Sequence, residues 1–279
     1  MPSRRFVQTD VFSPVPIQGN GLAVVIDSHG LTDDDLQRFA AWTNLAETTF
    51  LYPPDDPAAD YRVRIMTPSR EMLFAGHPTL GSCAAWLHTG GVPKEAGVVR
   101  QECGVGIVEI DVTQARPAFV APPTTVRPMA PETRRAIIER LEISPDAIVD
   151  TAELDNGPVW QAFHLRSADA VLALDGRRVR WPDFKALGFI GPHPDGTPHD
   201  YEVRMLAPSS GMLEDPITGS LNAALACWMQ DDGRLRGEVQ IAQGTTISRC
   251  GRVSIRPVAD GRILVGGDVH VVIEGTVEI

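Results

Sequence analysis

The sequence lacks any long hydrophobic run. No apolar stretch of its 279 residues approaches the ~20 residues that a membrane-spanning helix needs. The N-terminal segment MPSRRFVQTDVF also lacks the apolar core of a secretory signal peptide. We therefore predict a cytoplasmic protein that has no membrane partner.

Positive charge is also scarce. The chain has 25 Lys and Arg against 36 Asp and Glu, for a net charge of −11. Its densest basic group is Arg177, Arg178 and Arg180, which a solvated turn would explain. A nucleic-acid-binding surface needs clustered Lys and Arg, so this composition argues against a nucleic-acid partner. A small anionic substrate stays compatible with it, because local donors can outweigh distant, screened charge.

Patterns typical of metal sites and disulfides are missing as well. The four cysteines, Cys83, Cys103, Cys227 and Cys250, form no CxxC pair and have no zinc-site spacing. The seven histidines show no HxxxH-type ligand set. These absences favour reduced thiols and argue against a metal hydrolase, so we expect no metal site.

What the sequence does contain is a long repeated motif. Val63–Trp86 reads VRIMTPSREMLFAGHPTLGSCAAW, and Val203–Trp228 reads VRMLAPSSGMLEDPITGSLNAALACW. An offset of 140 residues separates Arg64 from Arg204, and after a two-residue slip the offset becomes 138. A period of this length is typical of two copies of one domain rather than of a solenoid.

Short strands and a few helices are predicted in both copies. Thr32, followed by three aspartates, predicts a helix start with a capping box. Alternating segments such as Tyr61–Met66, Val159–Leu165 and Tyr201–Leu206 predict strands. We therefore predict an α+β fold whose sheets are mostly antiparallel or mixed.

A proline-rich stretch, residues 115–131, is the best candidate linker between the copies. It divides the chain into a first repeat domain, residues 1–116, and a second, residues 117–267. The last strand, residues 268–279, can pair back onto the first domain, and residues 174–200 are predicted to be rich in loops. Two facing copies with different titratable groups at equivalent points would form an acid/base cleft.

Those titratable groups are His77 and Asp215, each of which precedes a proline. Asp215 and Pro216 are typical of a helix N-cap and first helical residue, so Asp215 could act as a cap alone. Gly219 and Ser220 favour a ligand instead: glycine costs roughly 1 kcal/mol within a helix, yet it lets an anion approach the N-terminal amides. Histidine is not a favoured cap, so we favour catalysis over a structural role for His77.

Glu47 is the third candidate for chemistry. Its flanking residues, Leu45–Ala46 and Thr48–Leu51, are uncharged and largely apolar. Desolvation in such surroundings would raise the pKa of its carboxyl group towards the range that suits acid/base catalysis. The alternative is a surface glutamate at a helix–strand corner.

Together these segments resemble the phenazine-biosynthesis PhzF family, which has the diaminopimelate-epimerase-like fold. The matching segments occur in family order and cover most of the chain: QTDVF…GNGLAVVID, NLAETTFL, FAGHPTLGSCAAWL, EDPITGSLNAALACWM, QGTTISRCGRVSI and VGGDVHVVIEGTVEI. The resemblance implies two pseudo-symmetric domains, each a strand-rich barrel-like shell around a central helix, with the active site in the cleft between them. It also implies a homodimer and catalysis without a cofactor.

The resemblance also assigns roles to individual residues. It implies that Glu47, His77 and Asp215 are catalytic and that Gly76, Gly219, Ser220 and Asn20 bind substrate. The best-known family reaction is the isomerisation of trans-2,3-dihydro-3-hydroxyanthranilate, a proton shift in a carboxylate-bearing ring. We therefore predict an isomerase that acts on a small carboxylate-bearing substrate. A racemase or epimerase that uses carboxylate and imidazole, and a non-catalytic binder of small acids, are the alternatives.

Two positions depart from the family pattern. The family usually has serine directly before the catalytic glutamate, where this chain has Ala46, and it commonly reads GNP where this chain has Gly19-Asn20-Gly21. Neither FAGHP nor EDPITG contains a cysteine, which disfavours the two-thiol racemisation used by other enzymes of this fold. The departures leave the proton-transfer residues intact, and they bear on which substrate is used.

Overall fold

The computed structural model describes residues 2–279, which divide into two compact units. The first comprises the described residues up to Val120 together with Gly266–Ile279, and the second comprises Ala121–Val265. Strands outnumber helices in the described chain, so the fold is the mixed, sheet-rich α+β fold expected from the sequence. None of the helices within residues 2–279 combines the length and hydropathy needed to cross a bilayer.

In both units, short runs of strands are separated by helices. The first unit contains β1 (Ser3–Val11), β2 (Asn20–Val25), α1 (Asp33–Thr43), β3 (Glu47–Tyr52), β4 (Tyr61–Met66), β5 (Glu71–Met72), α2 (Gly76–His88), β6 (Val98–Cys103), β7 (Gly106–Asp111) and β8 (Ala118–Val120). The chain continues through β9 (Thr125–Pro128), α3 (Pro131–Leu141), β10 (Ile148–Asp155), β11 (Val159–Leu165), α4 (Ala168–Leu172), β12 (Leu187–Pro192), β13 (Tyr201–Leu206), β14 (Glu214–Asp215), α5 (Gly219–Asp231), β15 (Val239–Gln243), β16 (Gly251–Pro257) and β17 (Ile263–Gly266). The last strand, β18 (Val269–Glu278), belongs to the first unit.

The strands of the two units pair in the same succession. In the first unit the order is β18-β1-β2-β3-β4-β6-β7, with parallel pairing at β2–β3 and β4–β6 and antiparallel pairing elsewhere. In the second unit the order is β9-β10-β11-β12-β13-β15-β16, with parallel pairing at β11–β12 and β13–β15. The repeat seen in the sequence therefore extends to the pattern of backbone hydrogen bonds.

The start of α1 confirms the predicted capping box. The Thr32 hydroxyl accepts a hydrogen bond from the backbone N–H of Asp35, and the Asp35 carboxylate accepts one from the Thr32 N–H. The apolar face of the helix, which includes Leu36 and Phe39, packs in a buried cluster with Phe50 of β3. Because β3 begins at Glu47, the packing of Phe50 in this cluster also fixes the position of Glu47 in the first unit.

Helix α2 is buried along most of its length, including Leu80 and Cys83. Gly81 lets the helix approach the sheet closely, because a Cβ atom there would lie 2.6 Å from both Leu22 and Thr9. This packing holds the first turn of α2, which contains His77, inside the first unit.

Two segments differ from the sequence prediction. Residues 174–200 are rich in loops as predicted, but they also contain the buried strand β12. Gly191 in this strand allows a close approach, because a Cβ atom there would lie 2.3 Å from the backbone oxygen of Ser167. The predicted linker, residues 115–131, contains β8 and β9, and β9 pairs with β10 although it ends at Pro128.

Candidate active site

Glu47 and His77 meet inside the first unit. Glu47 is the first residue of β3, and His77 lies in the first turn of α2. Their closest atoms, Glu47 Oε2 and His77 Nε2, are 3.4 Å apart, which is longer than a typical hydrogen bond. The His77 side chain is 3% exposed and the Glu47 side chain 17%. Glu47 is therefore the member of the pair that solvent reaches more easily.

Asn20 determines which nitrogen of His77 carries the proton. Asn20 is the buried first residue of β2, and its Nδ2 atom lies 3.1 Å from His77 Nδ1. An amide NH₂ group can only donate, so Nδ1 of the neutral imidazole accepts this hydrogen bond and Nε2 carries the proton. Nε2, the protonated nitrogen, lies 3.4 Å from Glu47 Oε2 without hydrogen-bonding geometry.

Burial keeps the His77 ring neutral. Desolvation lowers the pKa of His77 from 6.5 to about 3. A neutral imidazole with its proton on Nε2 can support a neighbouring carboxylate or relay a proton to it. The pair therefore has the composition of an acid/base centre.

We expect the fold to lose stability as the pH falls between the two pKa values of His77. Histidine in an unfolded chain titrates near pH 6.5, whereas the folded value is about 3. Between these values the unfolded state binds more protons, so acidification lowers the free energy of unfolding by up to about 1.4 kcal/mol per pH unit. Chemical denaturation between about pH 7 and about pH 4 should show a steeper acid loss for the wild type than for His77→Gln.

His88 provides the matched control for that experiment. It is an exposed histidine of the same unit, and its Nε2 atom lies 2.9 Å from Glu274 Oε2. The His88→Gln variant should not share the reduced slope of His77→Gln. Equal slopes for the wild type and His77→Gln would contradict a buried, neutral His77.

Asp215 is not a helix N-cap, which was the structural alternative to a role in catalysis. The sequence suggested a helix N-cap, but α5 begins at Gly219 with Thr218 as its N-cap, and Asp215 ends the short strand β14. Backbone pairing places Asp215 opposite Met205 of β13. This pairing between distant segments overrides the local Asp-Pro signal. The carboxylate is buried and accepts a hydrogen bond from the Thr218 hydroxyl group.

The N-termini of α2 and α5 carry the predicted binding glycines. Gly76 is the first residue of α2 and Gly219 the first of α5, and the side chains of their N-cap residues, Ala75 and Thr218, make no capping hydrogen bond. The N–H groups and the dipole at a helix N-terminus favour an anion there. Ser220 is held in place because its backbone oxygen accepts a 2.8 Å hydrogen bond from Asn156 Nδ2.

The predicted site residues are divided between the two units. Asn20, Glu47, Gly76 and His77 lie in the first unit, and Asp215, Gly219 and Ser220 lie in the second. Sequence analysis did not predict which polar residues lie around Asp215. The available signals were the polar segment QGTTIS and the asparagine within SLNAALACW, which stand beside apolar residues. Within residues 2–279, no group of three or more His, Cys, Asp or Glu side chains could hold a metal ion.

Comparison with known proteins identifies the family. The sequence model of the phenazine biosynthesis-like proteins, PhzC-PhzF, matches residues 9–275. The chain belongs to this family. This confirms the resemblance inferred from the motifs around Glu47, His77 and Asp215.

Individual PhzF relatives cover nearly the whole chain. It is 32% identical to antisense-enhancing sequence 1 of Schizosaccharomyces pombe over 99% of both chains. It is 30% identical to trans-2,3-dihydro-3-hydroxyanthranilate isomerase of Pseudomonas fluorescens, covering 88% of this chain and 87% of the relative. A PhzF-family protein of Bacillus anthracis superposes with a TM-score of 0.81 over 100% of both chains at 20% identity, which shows a shared fold. The names of the relatives support an isomerase.

Proposed function

We propose that this PhzF-family protein is a cofactor-independent isomerase that moves a proton within a small carboxylate-bearing substrate similar to trans-2,3-dihydro-3-hydroxyanthranilate. The observation that carries the proposal is the Glu47–His77 pair, in which a buried neutral imidazole faces a partly accessible carboxylate at 3.4 Å. The chain's 30% identity to an enzyme named for this reaction supports the substrate class.

Glu47 performs the proton transfer in this mechanism. Its carboxylate removes a proton from an activated C–H of the bound acid, the double bond shifts, and the same carboxyl group returns the proton to another carbon. The Nε2–H dipole of His77, close to the Glu47 carboxylate, favours the ionised form of Glu47 electrostatically. The amides of the helix ends at Gly76 and Gly219 offset negative charge as it develops on the substrate.

The catalytic set includes residues of both units in this proposal. The two units correspond to the pseudo-symmetric domains of a diaminopimelate-epimerase-like fold, each a barrel-like shell around a central helix, α2 or α5. The sequence repeat and the matching order of strand pairing support this correspondence. Asp215 then assists in positioning the substrate or in moving the proton. We further propose a cytoplasmic homodimer that binds neither nucleic acid nor membranes: family resemblance supports the dimer, the net charge of −11 argues against nucleic acid, and the lack of long apolar runs argues against a membrane.

Ala46 bears on which acid is the substrate. It is buried directly before Glu47, where the family usually has serine, so it offers no hydroxyl group to a ligand. A substrate that lacks the polar group recognised by that serine fits this chain better, because an unpaired buried polar group is unfavourable. The preferred acid is therefore expected to differ from the phenazine precursor near this point.

Solvent-exchange experiments test the proposed reaction. The enzyme is incubated in deuterated buffer with trans-2,3-dihydro-3-hydroxyanthranilate and a panel of other small unsaturated carboxylic acids. We expect one acid to give a product with a shifted double bond and deuterium at the carbon that receives the proton, because the partly exposed Glu47 can exchange its proton with solvent. Mass spectrometry measures the incorporation, and NMR locates the deuterium and the double bond.

The other outcomes identify the alternative functions. A two-base epimerase would incorporate deuterium at a single carbon with inversion there and no shift of a double bond. Ligand binding with no deuterium in any acid would indicate a non-catalytic binder and would contradict the proposed isomerase. Enzyme-free incubations provide the background rate for each acid.

A further inference from the structure

We propose that Gln243 is a positioning residue that directs the hydroxyl proton of Thr218 onto Asp215 and so fixes this carboxylate for the reaction. The inference rests on the proposed function, because it assigns a purpose to the orientation of Asp215. Gln243 is the last residue of β15 and is fully buried. It lies 25 residues from Thr218 in sequence, so only the tertiary fold brings the two together.

Both ends of the Gln243 amide are engaged. Its Oε1 atom accepts a hydrogen bond of 3.1 Å from the backbone N–H of Thr218 and one of 2.9 Å from Asn222 Nδ2. These two donors fix which end of the amide carries oxygen. The Nε2 end therefore points to the Thr218 hydroxyl, 3.0 Å away, and it also donates to the backbone oxygen of Asp215 at 3.4 Å.

The direction of these hydrogen bonds determines where the Thr218 proton points. The amide nitrogen of Gln243 can only donate, so the Thr218 oxygen accepts from it. The hydroxyl proton of Thr218 then points to its other partner, Asp215 Oδ2. This oxygen of Asp215 is thereby held as an acceptor, and the side-chain orientation of Asp215 is tied to the first turn of α5.

The first unit contains a similar buried glutamine–threonine pair whose threonine hydroxyl does not donate to a carboxylate. Gln101 Nε2 lies 3.0 Å from the Thr79 hydroxyl, but that hydroxyl donates to the backbone oxygen of Ala75 at 2.9 Å. The pair therefore supports the start of α2 without orienting a carboxylate. Removal of the Thr79 hydroxyl is a matched control, because it disrupts a similar buried contact that has no acidic partner.

Kinetics of Thr218 and Gln243 variants test the proposal. Thr218→Val should lower kcat by about 10- to 100-fold, the effect expected for losing a hydrogen bond to a charged group. Its KM should change by less than about threefold, and Thr218→Ser should restore kcat to within about threefold, because serine keeps the hydroxyl group. Gln243→Met should also lower kcat, because it removes the donor that orients the Thr218 hydroxyl.

The double variant decides whether Gln243 acts through Thr218. If it does, Thr218→Val combined with Gln243→Met should be no slower than Thr218→Val alone, because the effects of coupled residues do not add. Effects that multiply in the double variant would overturn the proposal. If Gln243→Met does not fold, Gln243→Leu takes its place with the same expectations, because leucine likewise cannot donate a hydrogen bond to the Thr218 hydroxyl.

Proton NMR gives a test that needs no substrate. A hydroxyl proton held between Thr218 and Asp215 should exchange slowly and resonate downfield, and it should disappear in Thr218→Val. The signal should also be lost in Gln243→Met and persist in Thr79→Val. Absence of the signal from the wild type, or its persistence in Gln243→Met, would overturn the proposal. A wild type that has this signal but turns over no acid would contradict the proposed function alone.

Discussion

Replacement of Glu47 by glutamine is expected to remove most of the turnover while leaving the fold intact. A positioned acid/base group typically contributes about 10²–10⁴-fold in rate, and we expect kcat to fall within that range. Glutamine has nearly the same shape, and its amide oxygen can still face the Nε2–H of His77. The substrate should therefore bind with near wild-type affinity, and the melting temperature should change little.

Glu274 is the matched control for that substitution. It also lies next to a histidine of the first unit, with its Oε2 atom 2.9 Å from His88 Nε2, but both side chains are exposed. Glu274→Gln should retain wild-type kcat and KM, because no mechanism step uses this pair. Wild-type turnover by Glu47→Gln would reject Glu47 as the acid/base, even if the family assignment stands.

Replacement of Arg204 by methionine is expected to give the largest loss of stability. Arg204 Nη2 lies 2.7 Å from Glu214 Oε2, and both side chains are 4% exposed. The guanidinium also donates to the backbone oxygen of Leu174 at 2.7 Å. Removing one partner of a buried ion pair leaves an uncompensated charge and costs about 3–5 kcal/mol. Urea denaturation should show this loss, and catalysis should also suffer because Glu214 adjoins Asp215 in β14.

Arg64 occupies the equivalent place in the first copy of the motif and provides the control. Its Nη2 atom lies 2.7 Å from Glu71 Oε2, but the two side chains are 25% and 41% exposed. Solvent screening limits such a pair to about 1 kcal/mol or less, so Arg64→Met should be much less destabilising than Arg204→Met. In addition, Glu214→Leu combined with Arg204→Met should regain part of the stability, because it removes the orphaned carboxylate. Equal losses for the two arginine variants would contradict this account.

Local patterns in the sequence were sufficient for many elements of the fold. The strands predicted at Tyr61–Met66, Val159–Leu165 and Tyr201–Leu206 were found with those bounds. The capping box at Thr32 was found as well. Alternation of apolar residues and helix capping depend on neighbours within a few residues, so the sequence displays them directly.

Non-local contacts account for the elements that sequence analysis missed. Strand β12 lies within the segment predicted to be rich in loops, yet it is buried and pairs with β11 and β13. Asp215 carries a helix-cap signal, yet it pairs with Met205. In each case partners supplied by distant segments outweigh local preference.

The sequence by itself determined the family, the α+β fold class and the titratable residues Glu47, His77 and Asp215, because these depend on residue identity and order along the chain. Only the tertiary structure decided how their protons are held. Asn20 reaches His77 across 57 residues, and Gln243 reaches Thr218 across 25. A hydrogen bond acts between atoms about 3 Å apart, and the sequence does not state which distant residues come that close. The fold therefore adds to the list of residues the direction of each hydrogen bond, and the proposed mechanism depends on that direction.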